Sequence, residues 1–193
     1  MLVGMIMNKF YTQTLIPMPK VDCKALWPND PTDPTDTRPR WKKIPFVAET
    51  LWDIEIYNKL KQCYLTPHNV RVFRWAPIKF YPWHIDGNSN TKYLFPFAIN
   101  WIVEGGGLIQ WNTTKELTVG LQSEARLHLG MCVGTPQDAY EDQTFGHGCI
   151  VNTTIPHRVL NFEKTHRLSI SVIFDPTITY EDTITNLKSV GLI

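Results

Sequence analysis

Residues 69 to 175 form a succession of short strand-like segments, at 69–76, 78–84, 93–103, 108–111, 117–121, 125–129, 149–152, 158–162 and 168–175, separated by turns rich in glycine, asparagine and proline. So many short segments predict an all-β sandwich or barrel rather than strands alternating with helices. Gly105, Gly106 and Gly107 make a sharp turn between two of them. They are no phosphate loop, because the downstream Lys-Ser or Lys-Thr and the strand-to-helix context are missing.

A chain of 193 residues is one domain's worth and can bury a core without disulfides or structural metal. With 43% hydrophobic, 12% aromatic and 19% charged residues it is a folding rather than a disordered composition. Nineteen basic against eighteen acidic side chains leave a net charge of +1 without a long block of either sign. Nucleic acid and anionic membranes are therefore not expected partners. Cys23, Cys63, Cys132 and Cys149 are scattered, forming neither a zinc knuckle nor a disulfide scaffold, and point to a reducing compartment. No stretch approaches the roughly 18 apolar residues of a membrane span. The apolar first seven residues lack the leader and cleavage pattern of a secretory signal. A cytoplasmic protein is expected; the oligomeric state is not legible.

The organisation expected is a single domain: an N-terminal arm and Pro/Asp-rich loop over 1–45, a supporting helix over 46–66, the β core over 68–176 and a tail over 177–193. Residues 8–20 suit an edge strand, whereas the prolines between Pro28 and Pro39 exclude a helix or central strand. Phe46, Val47, Leu51, Ile54, Tyr57 and Leu60, with Glu49 and Asp53 early and Lys59 and Lys61 late, predict one amphipathic helix. Loops 28–41, 88–93 and 135–148 are long enough to form a lid over a site.

The chemistry concentrates in two places. In Tyr81-Pro-Trp-His84-Ile-Asp86-Gly87-Asn88, His84 and Asp86 lie two apart on an extended strand and point to one side. Further on, His157 opens a segment whose neighbour carries Arg167, Ser169 and Ser171 on one face, so His157 and Arg167 can converge across an antiparallel pair. An inward arginine needs an anionic or polar partner, since burying an unpaired guanidinium is costly. Two histidines and a carboxylate on one face of an octahedral ion leave three positions open, as in non-haem iron(II) oxygenases.

Taken with their order and spacing, these residues resemble the 2-oxoglutarate and iron(II)-dependent dioxygenases, in particular their prolyl-hydroxylase-like or aspartyl/asparaginyl-hydroxylase-like members, over about residues 69–175. The resemblance implies a mainly β double-stranded β-helix (jelly roll, cupin-like) with at least one N-terminal supporting helix. It makes His84, Asp86 and His157 the Fe(II) ligands and Arg167, ten residues beyond the second histidine, the anchor for the distal carboxylate of 2-oxoglutarate, with Ser169 as its polar partner. With O2 as second cosubstrate, the implied outcome is hydroxylation of a protein or peptide side chain or of a small molecule, with release of succinate and CO2. Gly105-Gly-Gly-Leu-Ile-Gln-Trp111 departs from the turn of prolyl hydroxylases. A cupin-like metalloenzyme working without 2-oxoglutarate, or a non-catalytic jelly roll, stays open as the alternative.

Tyr81 and Asn100 are further candidates for cofactor contact, and Trp101, Trp111 and Asn161 for the pocket or its support. Arg71 is open between contact with an acidic substrate group and an ordinary surface charge. His166, of opposite parity to Arg167's partners, is expected to face outward, and His68, His128 and His147 to be structural. Trp75 and Trp83 are expected in core or pocket walls rather than as stacking platforms for nucleic acid.

Overall fold

The computed structural model describes residues 10–26, 40–81, 83–88, 93–112, 119–123, 126–129, 138–142, 147–175 and 177–193. Two antiparallel sheets face each other. The first runs in the order β1 (Tyr11–Pro17), β12 (His147–Asn152), β7 (Phe97–Glu104), β14 (Arg167–Phe174), β3 (Pro67–Trp75), β2 (Arg40–Ile44). The second runs β11 (Asp138–Asp142), β8 (Gly107–Trp111), β13 (His157–Asn161), β5 (His84–Asn88), β10 (Arg126–Leu129), β9 (Val119–Ser123), with β4 (Lys79–Phe80) on β13 and β6 (Tyr93–Leu94) on β5. The chain alternates between the two layers, β3 to β5 to β7 to β8, then β11 to β12 to β13 to β14. This winding is a double-stranded β-helix, the cupin-like fold expected, with flanking helices.

Side-chain parity divides the first sheet. Val70, Val72, Phe97, Ile99, Trp101, Ile150, Leu168, Ile170, Val172 and Phe174 form its outer face and pack against α1 (Ile54–Gln62) and α2 (Tyr180–Ser189) through Leu60, Tyr180, Ile184 and Leu187. The inner face closes on the second sheet around Phe10, Ile109, Trp111, Cys149 and Val151. Burying that outer apolar layer, at about 25 cal/mol per Å2, is where most of the folding drive resides.

Several local expectations need correction. The helix expected over 46–66 is shorter: a 3-10 turn at Ala48–Thr50 precedes α1, and Asp53 at its start is extended. Leu51 and Trp52 are buried in the outer layer between them. The segment 78–84 is two strands, because the chain leaves β4 after Phe80 and re-forms at His84; likewise 93–103 divides into β6 and β7. Gly87 and Asn88 continue β5, paired with Leu94 and Tyr93 of β6. Residues 138–142 of an expected loop form β11, and residues 40–44, placed with the arm, form β2 at the sheet edge. The tail contains α2, where Thr179 accepts from the Asp182 amide as N-cap and Tyr180, Thr183, Ile184 and Leu187 make one buried stripe. Residues 28–39, 89–92 and 143–146, which include most of the three suggested lid loops, lie outside the described residues.

Candidate metal centre

His84 and His157 are direct partners in the β5–β13 pair. That register places their rings 4.3 Å apart between centroids, and both are almost fully buried, at 2% and 4% exposure. Asp86 follows His84 by two on the same strand, so its carboxylate points to the same side, with Oδ1 at 3.6 Å from His84 Nε2. Its backbone is pinned from two directions: the Asp86 amide donates to Thr153 O and its carbonyl accepts from Phe95 N.

One ligand atom from each of the three lies within 4.8 Å of the others. Neighbouring ligands at about 2.1 Å from an ion stand about 3 Å apart, so modest contraction suffices for coordination. The hydrogen bond between His157 Nδ1 and the Ile155 carbonyl at 3.0 Å reinforces the fit. With the proton on Nδ1, Nε2 carries the free lone pair that a metal requires. Two imidazoles and one carboxylate suit a divalent iron or manganese ion. No other such group occurs among the described residues.

The triad lines one cavity, whose opposite wall is the inner face of β14, β3 and β7. Arg167, Ser169 and Ser171 contribute from β14, Phe73 and Trp75 from β3, and Asn100 from β7. Arg167 is 3% exposed and donates from Nη1 to Ser169 Oγ at 3.1 Å. Room for it depends on Gly107: a Cβ there would lie 2.8 Å from Leu160 O and 2.9 Å from Arg167 Cδ. Gly105, at φ +72°, turns the chain where a Cβ would stand 2.6 Å from His166 O. Asn161 closes the β13–β14 turn, donating to the Ala76 and Thr165 carbonyls and accepting from the Glu163 amide. It therefore acts through the backbone on the approach to Arg167.

The other candidates separate. Tyr81 does not line the cavity; it packs edge-on against the His84 ring, 4.8 Å between centroids, and against Trp75 at 5.2 Å. Trp101 faces the outer layer and donates to Ile16 O, so it is no pocket residue. Trp111 fills the inner core and donates to Asn152 O. Arg71, left open above, is buried on the inward face. His68 and His147 are exposed, and His128 is the backbone partner of His84 on β10. Thr153, Val151 and Val159, also in the cavity wall, were not singled out. Thr153 follows β12 within a Thr-Thr pair that gives no sequence cue to which hydroxyl turns inward.

No family model matches the chain, and no curated protein does either. Solved structures do resemble it. One is the hydroquinone 1,2-dioxygenase PnpCD in complex with Cd2+ and 4-hydroxybenzonitrile, at 12% identity and a TM-score of 0.38 over 57% of this chain and 60% of that one. Another is oxalate decarboxylase from Bacillus subtilis, at 12% identity and 0.36 over 56% of this chain and 21% of that one. An uncharacterised protein with a double-stranded β-helix domain from Klebsiella pneumoniae aligns at 9% identity and 0.41, over 74% and 82% of the two chains. The chain thus spans about three fifths of the dioxygenase chain and a fifth of the decarboxylase. At such identities and TM-scores the likeness carries no argument about this chain; the strand order and winding described above are themselves those of a double-stranded β-helix, and they hold a candidate metal-binding His–Asp–His triad.

Proposed function

We propose that the protein is an iron(II) and 2-oxoglutarate-dependent oxygenase, most simply a hydroxylase. The observation that carries this reading is Arg167, a buried guanidinium in the wall of the cavity that holds the triad, bonded to Ser169 beside it. A cation placed there suits the free carboxylate of a short keto diacid whose other end chelates the metal.

His84, Asp86 and His157 would hold the iron, leaving three positions for the keto acid and O2. Bound iron would supply oxygen activation, with oxidative decarboxylation of 2-oxoglutarate placing one oxygen atom in succinate and the other in the substrate. The chain's own residues orient and exclude. Arg167 and Ser169 fix the far carboxylate; the Ile155 carbonyl holds the His157 proton at Nδ1; Phe73, Trp75, Ile109, Val151 and Val159 keep the cavity apolar around the reacting carbon. Cys23, Cys63 and Cys149 are buried thiols, which fits a reducing, cytoplasmic setting. Among the described residues no helix is long and apolar enough to cross a membrane.

A second reading keeps the metal and dispenses with the keto acid, as a cupin-like metalloenzyme. The names of the similar structures, a hydroquinone 1,2-dioxygenase and an oxalate decarboxylase, stand nearer to this reading, although the likeness is one of fold. Anaerobic titration of iron(II)-loaded protein with 2-oxoglutarate separates the two. A saturable visible charge-transfer band, weakened by His84→Ala and by Arg167→Gln, is the expected result. Folded, metal-loaded protein that gives no band rejects the keto-acid reading and leaves the second.

A further inference from the structure

Trp75 stands directly opposite Arg167 in the β3–β14 pair, and both side chains line the cavity that holds His84, Asp86 and His157. Directly paired residues on one face of a sheet have Cβ atoms about 4.5–5.5 Å apart, so the indole is an immediate neighbour of the arginine. Its ring belongs to the apolar wall, stacked on Phe73 at 6.2 Å between centroids and meeting Tyr81 edge-on at 5.2 Å. Its one polar atom is left out of that packing. Trp75 is 4% exposed, and its buried Nε1–H meets no acceptor among the described residues. A buried indole N–H ordinarily has a partner, because an unmade bond costs the full desolvation of the group. Trp52, Trp101 and Trp111 follow that rule, donating to the carbonyls of Pro17, Ile16 and Asn152. Trp75 departs from it, and of these four it is the one in the cavity wall.

The neighbours define the acceptor that would complete it. An indole N–H and a guanidinium are donors only, so Trp75 and Arg167 cannot satisfy each other. Ser169, two residues along β14, already takes an Arg167 N–H on its oxygen, and its own hydroxyl hydrogen is a further donor. Three donor groups, one of them cationic, drawn from two paired strands make a seat for an anionic oxygen group. A carboxylate fits, since it only accepts and its two oxygens offer about four lone pairs. Water fits less well, because its two hydrogens would need acceptors that these side chains do not offer.

We propose that Trp75 Nε1–H donates to the carboxylate that Arg167 holds and so completes the anion seat of the cavity. This deepens the oxygenase reading and rests on it for the identity of the ligand, the carboxylate there being the far end of 2-oxoglutarate. Trp75 is then a specificity-determining residue: it binds the group that distinguishes a keto diacid from a keto monoacid and leaves the chelating end alone.

Nuclear magnetic resonance on zinc(II)-loaded protein with isotopically labelled indole nitrogens reads that bond directly, zinc being a closed-shell ion suited to the same ligands. The Trp75 signal is identified by its absence from Trp75→Phe, or from Trp75→Tyr should the first variant not fold. Saturating the parent protein with 2-oxoglutarate should move the Trp75 N–H proton downfield, as a new hydrogen bond to a carboxylate does. 2-Oxopentanoate, which carries a methyl group in place of the far carboxylate, should leave it near its starting position, and Arg167→Gln should remove most of the shift. On anaerobic, iron(II)-loaded protein, calorimetry should show 2-oxoglutarate affinity falling about tenfold in Trp75→Phe, the usual worth of a hydrogen bond to a charged group, with 2-oxopentanoate affinity within about twofold of the parent's. A ring needed only for packing would weaken both keto acids alike. The proposal is overturned by a Trp75 signal that stays put at saturating 2-oxoglutarate, by one that both keto acids move equally, or by equal weakening of the two in Trp75→Phe. If the parent protein binds no 2-oxoglutarate, the oxygenase reading fails by itself. Succinate and glutarate titrated into the same labelled protein then decide the seat: a downfield shift that Arg167→Gln removes upholds it, and no shift rejects it.

Discussion

Leu168, Ile170, Val172 and Phe174 leave β14 on one side, Arg167, Ser169 and Ser171 on the other, and all seven are buried. The apolar four belong to the cluster that includes Leu60, Tyr180, Ile184 and Leu187 of the helices, whereas the polar three face the cavity. Burial is favourable for the first set by its own physics. For the second it is a cost, met only by partners such as the Arg167–Ser169 bond and by whatever the cavity binds. A strand with two buried faces of opposite chemistry separates the work of folding from the work of binding. Stability should follow the outer face and ligand affinity the inner.

The largest effects should come from exchanging the roles of adjacent residues. Ile170→Ala, at a fully buried outer position, should lower stability by about 2–5 kcal/mol while leaving 2-oxoglutarate affinity close to that of the parent. Arg167→Met should do the reverse: little change in the unfolding midpoint, because an apolar side chain of similar length avoids a desolvated charge, and a loss of keto-acid affinity of about 30-fold or more. Chemical denaturation and the charge-transfer titration, run on both variants, check this. If both variants lose stability equally, the division between the faces is wrong.

Gly107→Ala should act on the inner face without touching a ligand. Its new Cβ conflicts first with the backbone carbonyl of Leu160, at 2.8 Å, and then with Arg167 Cδ, at 2.9 Å, so the β8–β13 pairing must give as well as the arginine side chain and some stability should be lost. Keto-acid affinity should fall by about tenfold, less than on removing the guanidinium, with metal affinity retained. A variant that binds 2-oxoglutarate as tightly as the parent would show that the strand shifts instead and that Gly107 does not place Arg167.

These two positions also show what can be read from a linear chain. His84, Asp86 and His157, and the inward parity of Arg167, Ser169 and Ser171, were legible because a strand has a period of two and metal ligands must share a face. The same counting from Trp75 places Arg71 inward, but a charged residue gives no sign of whether its face meets water or a cavity. β2 was missed because Arg40-Trp-Lys-Lys-Ile44 has the lysines that keep an exposed edge from pairing with other chains, and so resembles a loop. The α2 signal was present in the Thr179 cap and the Tyr180, Thr183, Ile184 and Leu187 spacing, yet ten residues of stripe are weak evidence beside a strongly patterned β core. Trp101 and Trp111 are ten apart on different sheets, and nothing in their local sequence separates an outer from an inner tryptophan.

The smallest expected effect again distinguishes the two faces, through pH. Cys23 belongs to the outer apolar layer, where burial, and then the nearby Asp22 carboxylate, push its thiol up from the ordinary 9.0 to about 11. Burial raises Cys63 in the same layer. An acid whose folded value lies above its unfolded one holds its proton more tightly in the fold. Its stabilising contribution is therefore complete below about pH 9 and is lost as pH rises through 11. Unfolding midpoints taken from pH 8 to 11 should fall with pH in the parent and fall less steeply in Cys23→Ala. Part of the decline should persist in that variant, because burial also raises Cys63 and Tyr180. Parallel slopes in the two proteins would mean that Cys23 ionises without opposing the fold and that the outer layer around it admits water.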